Sequence, residues 1–274
     1  MKKNENGEIK IDKVDEMVEG ILKGKSYLNQ VRPGTSIVFV DICDSTMMKN
    51  REQEKWLPVF TRFFNESAKI IERHCGTVIK LIGDEVMAVF TNEENGNMSS
   101  AQHCLSAVEE LMSRYNGLGK DGIAIKIAAD FGAPAFFSGE GIPLDVLGTC
   151  IDRCARIKTY LNKNQVIASE YFVEALHGRR DSGDVRKPRK SRDWKDIGAV
   201  GMKGIKEKVR LFQYQRFGEL LSKSAVRERE KSTTSSEKTI RTLKAENEKL
   251  VDKLQYLQQR FDEQKSRSSG RLSR

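Results

Sequence analysis

With 274 residues, 38% hydrophobic and 32% charged, the chain is long enough for one sizeable domain with extensions and too apolar for disorder throughout. No run of about 18 uncharged apolar residues occurs, and the opening MKKNENGEIKID lacks the apolar core of a secretory signal, so neither a membrane span nor export is expected and the chain reads as cytoplasmic. The formal net charge of +9 is concentrated in residues 178–195 and 219–274, around a nearly neutral body.

Residues 1–34 read as an N-terminal helical extension, in which Met17, Ile21 and Leu28 can share one face. Pro33-Gly34 breaks the chain before Ile37-Val38-Phe39-Val40, a β-branched run that predicts a strand buried on both faces. Ser45-Thr46 then lead into a helical pattern carrying Trp56, Phe60, Phe63, Phe64 and Ile71, ended by Gly76. Thr77 to Phe90 reads as two strands around Gly83-Asp84, followed by a helix over roughly 99–115. Ile123 to Phe137 gives two more strands, with Gly132 and Pro134 at their turn. A helix over 149–161, a short strand at Val166-Ile167-Ala168 and a short helix over 169–176 lead to the basic loop. A closing hairpin over 197–214 turns at Lys203-Gly204. The order β-α-β-β-α-β predicts an α+β fold: a ferredoxin-like split βαβ core with an appended α/β segment, over residues 35–218.

Beyond Gly218 the composition changes. Residues 219–238 read as a flexible linker, marked by the Ser-Thr run at 232–236. Ile240, Leu243, Asn247, Leu250, Leu254, Leu257 and Phe261 then recur at alternating steps of three and four, an a/d seam that predicts a coiled coil over 239–264, with Asn247 favouring a paired register. Residues 265–274 read as a basic, disordered tail. The two basic segments suit solvent or an anionic partner, but no motif points to specific nucleic-acid binding, and Trp194 is the only aromatic in the basic loop. The five cysteines form no Cys-x-x-Cys pair and read as reduced, mostly buried thiols. His74, His103 and His177 fit no zinc-ligand spacing.

Three segments carry the chemistry: 38–46 with Asp41 and Asp44, 80–87 with Gly83 and Asp84, and 144–156 with Asp145, Gly148, Asp152 and Arg156. Asp41 ends a buried strand and Asp84 sits in a tight turn, on strand ends that a split βαβ sheet can bring side by side. Two carboxylates there repel unless a cation lies between them. Oxygen donors of this kind suit Mg²⁺ or Mn²⁺ held with a phosphate, two per site, and the amides from Cys43 through Ser45 and Thr46 open a helix that can face a phosphate.

These segments resemble the catalytic domain of the class III nucleotidyl cyclases, over roughly residues 35–215. The resemblance implies that Asp41, the Ile42 carbonyl and Asp84 hold the metals. It implies that Lys80 and Asp145 read the base, that Asp152 and Arg156 serve the ribose and phosphate, and that Lys203 in Met202-Lys203-Gly204-Ile205 takes a phosphate. Asp152 stands where the family pattern has asparagine, so an acceptor replaces a neutral amide. The family also implies a head-to-tail homodimer with two composite sites, in which a nucleoside triphosphate becomes a 3′,5′-cyclic nucleotide and pyrophosphate. A donor at Lys80 and an acceptor at Asp145 match the edge of adenine, and equally that of cytosine. ATP is the favoured substrate because the resemblance implies cyclic AMP as the usual product. The alternative is a pyrimidine cyclase making cyclic CMP or cyclic UMP for a separate effector, as in bacterial antiphage systems and hence antiviral defence. Two further alternatives are a diguanylate-type cyclase, since Ile82-Gly83-Asp84-Glu85-Val86 partly matches GGDEF, and a degenerate, non-enzymatic dimeric scaffold.

Overall fold

A computed structural model describes residues 30–51, 55–92, 98–117, 122–139, 142–177, 193–236, 239–240, 242–244, 247–249 and 251. Strand β1 (Gln30–Val31) is followed by β2 (Thr35–Ile42), α1 (Ser45–Arg51), α2 (Trp56–Arg73), β3 (Gly76–Ile82), β4 (Glu85–Phe90), α3 (Ser100–Arg114), β5 (Ile125–Gly132), β6 (Ala135–Gly139) and β7 (Ile142–Leu147). Then come α4 (Thr149–Ile157), a 3-10 turn (Lys158–Tyr160), β8 (Val166–Ser169), α5 (Glu170–Leu176), β9 (Trp194–Val200) and β10 (Val209–Tyr214).

The main sheet has seven strands in the order β3-β4-β2-β5-β8-β10-β9. Its first four strands are mutually antiparallel, the arrangement expected of a split βαβ core. β8 joins parallel to β5, and the antiparallel β10 and β9 extend it as the appended segment. β2 is buried on both faces, because Val38, Val40 and Ile42 point into one core and Ile37 and Phe39 into another. The first core lies under α2, α3 and α5, where Phe60, Phe63 and Ile71 meet Leu111, Met112 and Phe172. The second lies under α4 and includes Cys150, Cys154, Ile157, Leu221 and Val226.

Local chemistry explains several boundaries. Ser99 caps α3 in a reciprocal capping box with Gln102, and Ser169 caps α5. Gly76 opens β3 because a Cβ there would lie 2.4 Å from the Phe90 ring. All five cysteines are free; Cys104, Cys150 and Cys154 are buried, and burial pushes the Cys150 thiol up to about 11. His74 pairs with Glu110 across α2 and α3 at 2.8 Å, a structural contact. Among the described residues, no helix is long and apolar enough to cross a membrane.

Several expectations need correction. Gln30 and Val31 do not continue a helical extension; they pair as β1 with Phe136 and Ala135. Pro33 disfavours helix in the residue before it, and Gly34 turns the chain at φ +76°. The remainder of that extension lies outside the described residues. The two strands expected over 123–137 form, with their turn at Gly132 and Pro134, and there the chain leaves the main sheet as β6 enters a separate sheet of order β1-β6-β7. β7 has no clear strand signal because Pro143 interrupts it, and its edge position tolerates the missing N–H. Within the segment read as a flexible linker, residues 223–236, the Ser-Thr run included, are helical. Thr233 and Thr234 donate their hydroxyls to the carbonyls of Arg229 and Glu230, which satisfies them inside a helix. Of the heptad seam, Ile240, Leu243 and Asn247 are helical and exposed. Leu250, Leu254, Leu257 and Phe261, residues 265–274 and most of the basic loop lie outside the described residues.

A buried ion pair fastens α4 to the sheet. Arg153 grips the fully buried Asp130 of β5 through two bonds, Nε–Oδ2 at 2.6 Å and Nη2–Oδ1 at 2.9 Å. It also donates to the Phe131 carbonyl and stacks 4.0 Å from the Tyr171 ring centroid. Burial works against the guanidinium, but the Asp130 contact holds its pKa above the ordinary arginine value. Arg153→Met alone is expected to destabilise the chain by about 3–5 kcal/mol, because it strands a buried carboxylate, while Asp130→Leu/Arg153→Met together cost far less. Denaturant unfolding of the single and double variants measures this; equal losses would show that the lost contact, not the stranded charge, sets the cost.

Candidate active site at the end of the central strand

The pairing register lines up one row of side chains where β2 ends. Asp41 lies opposite Glu85 on β4 and opposite Lys126 on β5, and Glu85 lies opposite Ile82 on β3. Asp84 occupies the turn between β3 and β4, beside Gly83 at φ +67°. Directly facing carboxylates repel across a sheet. Each acid is therefore met by a lysine. Lys126 Nζ lies 3.1 Å from Asp41 Oδ2, Lys49 Nζ lies 3.4 Å from Asp84 Oδ1, and Lys158 Nζ contacts Glu85 Oε2.

The acids differ in how comfortable their charge is. Burial raises the Asp41 pKa, with Lys126 opposing and the charge of Asp84 adding to it. Burial also acts on Asp84, but the Ser45 hydroxyl and Lys49 outweigh it and hold that carboxyl below its ordinary value. Glu85 is raised by burial, with Lys158 opposing. Ser45 thus spends its hydroxyl on Asp84, while Thr46 is exposed on the first turn of α1. Asp44 precedes that helix at φ 58° and accepts from the Met48 amide.

A second group sits where the two sheets meet. Lys80 Nζ lies 2.6 Å from Asp145 Oδ2, joining β3 to β7. A register shift between Val78 and Lys80 turns Lys80 onto the face occupied by Met87, toward β7. The Val146 amide holds the other Asp145 oxygen at 2.8 Å. The structure thus pairs the two candidate base-reading residues directly.

A third group projects outward. Asp152 and Arg156 lie one turn apart on α4, and Lys203 sits in the β9–β10 turn beside Gly204 at φ +79°. All three are exposed, and none has a side-chain partner among the described residues. Within one chain, Asp41, Ile42, Ser45 and Asp84 come together, Lys80 and Asp145 come together, and Asp152, Arg156 and Lys203 remain open. Glu85, Lys49, Lys126 and Lys158 join the first group without having been expected there. Glu85 is foreshadowed only by its place after Asp84; the lysines have no local signal, because register and helix placement bring them in.

Asp41, Asp84 and the Ile42 carbonyl are hard oxygen donors of the kind that suit Mg²⁺ or Mn²⁺. The facing lysines are partly exposed, with side-chain accessibilities of 34% for Lys49 and 28% for Lys126, so solvent can receive either if a stronger cation arrives. Among the described residues, no three or more His, Cys, Asp or Glu side chains converge closely enough to hold an ion without help from other ligands.

No protein-family model matches the chain, and no curated protein sequence matches it. Solved structures do. The guanylate cyclase domain of RhGC from Catenaria anguillulae, in complex with GTP, is 13% identical with a TM-score of 0.55, over 68% of this chain and 98% of that one. The adenylyl cyclase CyaB from P. aeruginosa is 18% identical with a TM-score of 0.52, over 70% and 97%. The guanylyl cyclase Cya2 is 22% identical with a TM-score of 0.53, over 70% and 95%. The fold is that of the class III nucleotidyl cyclase catalytic domain.

Proposed function

We propose that the chain is a metal-dependent nucleotidyl cyclase that acts as a homodimer and converts a nucleoside triphosphate, ATP in the first instance, into a 3′,5′-cyclic nucleotide and pyrophosphate. The observation that carries this reading is the division of its polar groups on a cyclase fold. The acid pair at the end of β2 and the Lys80–Asp145 pair are assembled within the chain, while Asp152, Arg156 and Lys203 are exposed and have no side-chain partner among the described residues.

In the composite site, Asp41, the Ile42 carbonyl and Asp84 of one copy would hold Mg²⁺ or Mn²⁺, with the Ser45 hydroxyl fixing Asp84. Bound divalent ions would supply charge neutralisation at the phosphates and acidify the ribose hydroxyl. The second copy would bring Lys80 and Asp145 to the base edge, Asp152 to a ribose hydroxyl as acceptor, and Arg156 and Lys203 to the phosphates. The 3′-hydroxyl would give its proton to solvent and bond to the α-phosphorus while the bond from that phosphorus to the departing pyrophosphate breaks. These side chains contribute by positioning and by opposing the charge that builds on the phosphoryl oxygens. The heptad seam beyond residue 239 would add a second contact between copies.

Hydrogen-bond order narrows the base to adenine or cytosine in this reading. Lys80 donates and Asp145 accepts at 2.6 Å from one another, close enough to span neighbouring atoms of one base edge. Adenine offers an acceptor at N1 beside a donor at N6, and cytosine repeats that order at N3 and N4. Guanine and uracil reverse it. CTP is therefore the second reading, favoured by the same pair. The test is a competition among all four triphosphates with Mn²⁺, the products separated by mass. Cyclic AMP or cyclic CMP is expected to dominate. Cyclic GMP or cyclic UMP as the main product would refute the assignment of Lys80 and Asp145, and no cyclic product from any triphosphate would refute the cyclase reading.

A further inference from the structure

We infer that Glu85 is a positioning residue for the cation, holding a water of its hydration shell; this rests on the reading that Asp41 and Asp84 take that cation. Glu85 is 4% exposed. Lys158 reaches one of its oxygens, Oε2, from the turn that follows α4. The other oxygen, Oε1, is buried and has no hydrogen-bond partner. Buried oxygens are rarely left this way, because an unpaired acceptor loses its hydration and gains nothing in return. Among the described residues, two other buried side-chain atoms share this condition, on Ser67 and Asn164, and both belong to neutral groups. Glu85 alone of the three is an ionisable group.

Its surroundings say what is missing. Asp41 faces Glu85 directly across the β2–β4 ladder, and Asp84 is its neighbour in the chain. Phe39, two residues before Asp41 on the same strand face, has its ring centroid 5.1 Å from Lys158 Nζ and brings no donor to that side. An ordinary structural ion pair would leave its second oxygen in solvent or on a backbone amide. Here the residue that carries the free oxygen faces Asp41 across the ladder and follows Asp84 in the chain, two acids that gain from a cation, and the oxygen's own need is for a donor. A water bound to a divalent ion satisfies both. Mg²⁺ and Mn²⁺ sites commonly retain such waters, and the acids do not converge closely enough for three-carboxylate coordination without them.

The test is Mn²⁺ binding to the full chain without nucleotide, read by paramagnetic resonance of free Mn²⁺ or by titration calorimetry. Glu85→Gln is expected to weaken Mn²⁺ by about tenfold or more, the usual effect of losing a hydrogen-bond partner outside the ligand set. Lys158→Gln is expected to tighten Mn²⁺ severalfold by releasing Glu85, and Glu85→Gln/Lys158→Gln to lose that gain. The double variant carries no stranded lysine, so it keeps the test valid if Glu85→Gln alone does not fold. Wild-type Mn²⁺ affinity in Glu85→Gln, or an undiminished gain in the double variant, would overturn the inference. Asp41→Asn and Asp84→Asn separate the two readings. If they lose Mn²⁺ and Glu85→Gln does not, only the role of Glu85 fails; if none loses it, the aspartate assignment fails as well.

Discussion

Asp41→Ala and Asp84→Ala are each expected to abolish turnover while leaving the chain folded. The two carboxylates are the candidate metal ligands, and removing either leaves the phosphates without the positive charge the reaction needs. Their effects on stability should differ, which checks that folding is not the cause. The folded pKa of Asp41 is raised, chiefly by burial. Stability from such a group is present below its unfolded pKa and is lost as pH rises through the folded value, so at neutral pH the ionised form is a cost. Asp41→Ala should therefore melt no lower than wild type near pH 7. The folded pKa of Asp84 is lowered, with Ser45 and Lys49 outweighing burial. Its contribution is present above the unfolded pKa and is lost as pH falls through the folded value, so Asp84→Ala should lose a little stability near pH 7 and none in acid. Thermal melts at both pH values and a pyrophosphate-release assay with Mn²⁺ measure these outcomes. A folded variant retaining activity within about tenfold of wild type would remove that aspartate from the metal site.

Why some of this was legible in the sequence and some was not has a physical basis. β2 announces itself because a strand buried on both faces must be apolar throughout, and Ile37 to Val40 are. α3 is bounded by a capping box that can be read locally. Asp41 and Asp84 are visible because each sits at a strand end or turn where an acid needs a reason. Lys126 and Glu85 are invisible as partners of Asp41, since only the register of β2 with β4 and β5 sets them opposite it. Lys158 is hidden for a related reason: its partner lies 73 positions away and is met only after α4 has packed on the sheet. The Lys80–Asp145 pair was expected through the family pattern, but its geometry depends on the irregularity after Val78 and on β7, whose proline masks it as a strand. The Ser-Thr run misleads in the opposite direction, because hydroxyls that favour turns can also fold back on their own helix.

An inactive Asp84→Ala chain mixed with an inactive Arg156→Ala chain is expected to recover activity. Asp84 lies in the turn between β3 and β4, whereas Arg156 is exposed on α4. If each site draws its acids from one copy and its arginine from the other, a mixed dimer has one site with both lesions and one with neither. Random exchange makes about half of the dimers mixed, each with one of two sites working, so recovery should reach about a quarter of wild-type activity. A chain that acted alone would recover nothing, because every copy carries a lesion. Mixed dimers must be shown present, for example by pulling one tagged chain down with the other; their presence without activity would overturn the composite site. The same mixture isolates the role of the C-terminal seam. Removing residues 231–274 from both chains deletes every seam position, including Ile240, Leu243 and Asn247. Recovered activity should then fall away at a higher protein concentration on dilution, because the contact between catalytic domains alone would hold the copies together. If the dilution profile is unchanged, the seam does not join the two copies, and the catalytic domains supply the whole of the dimer contact.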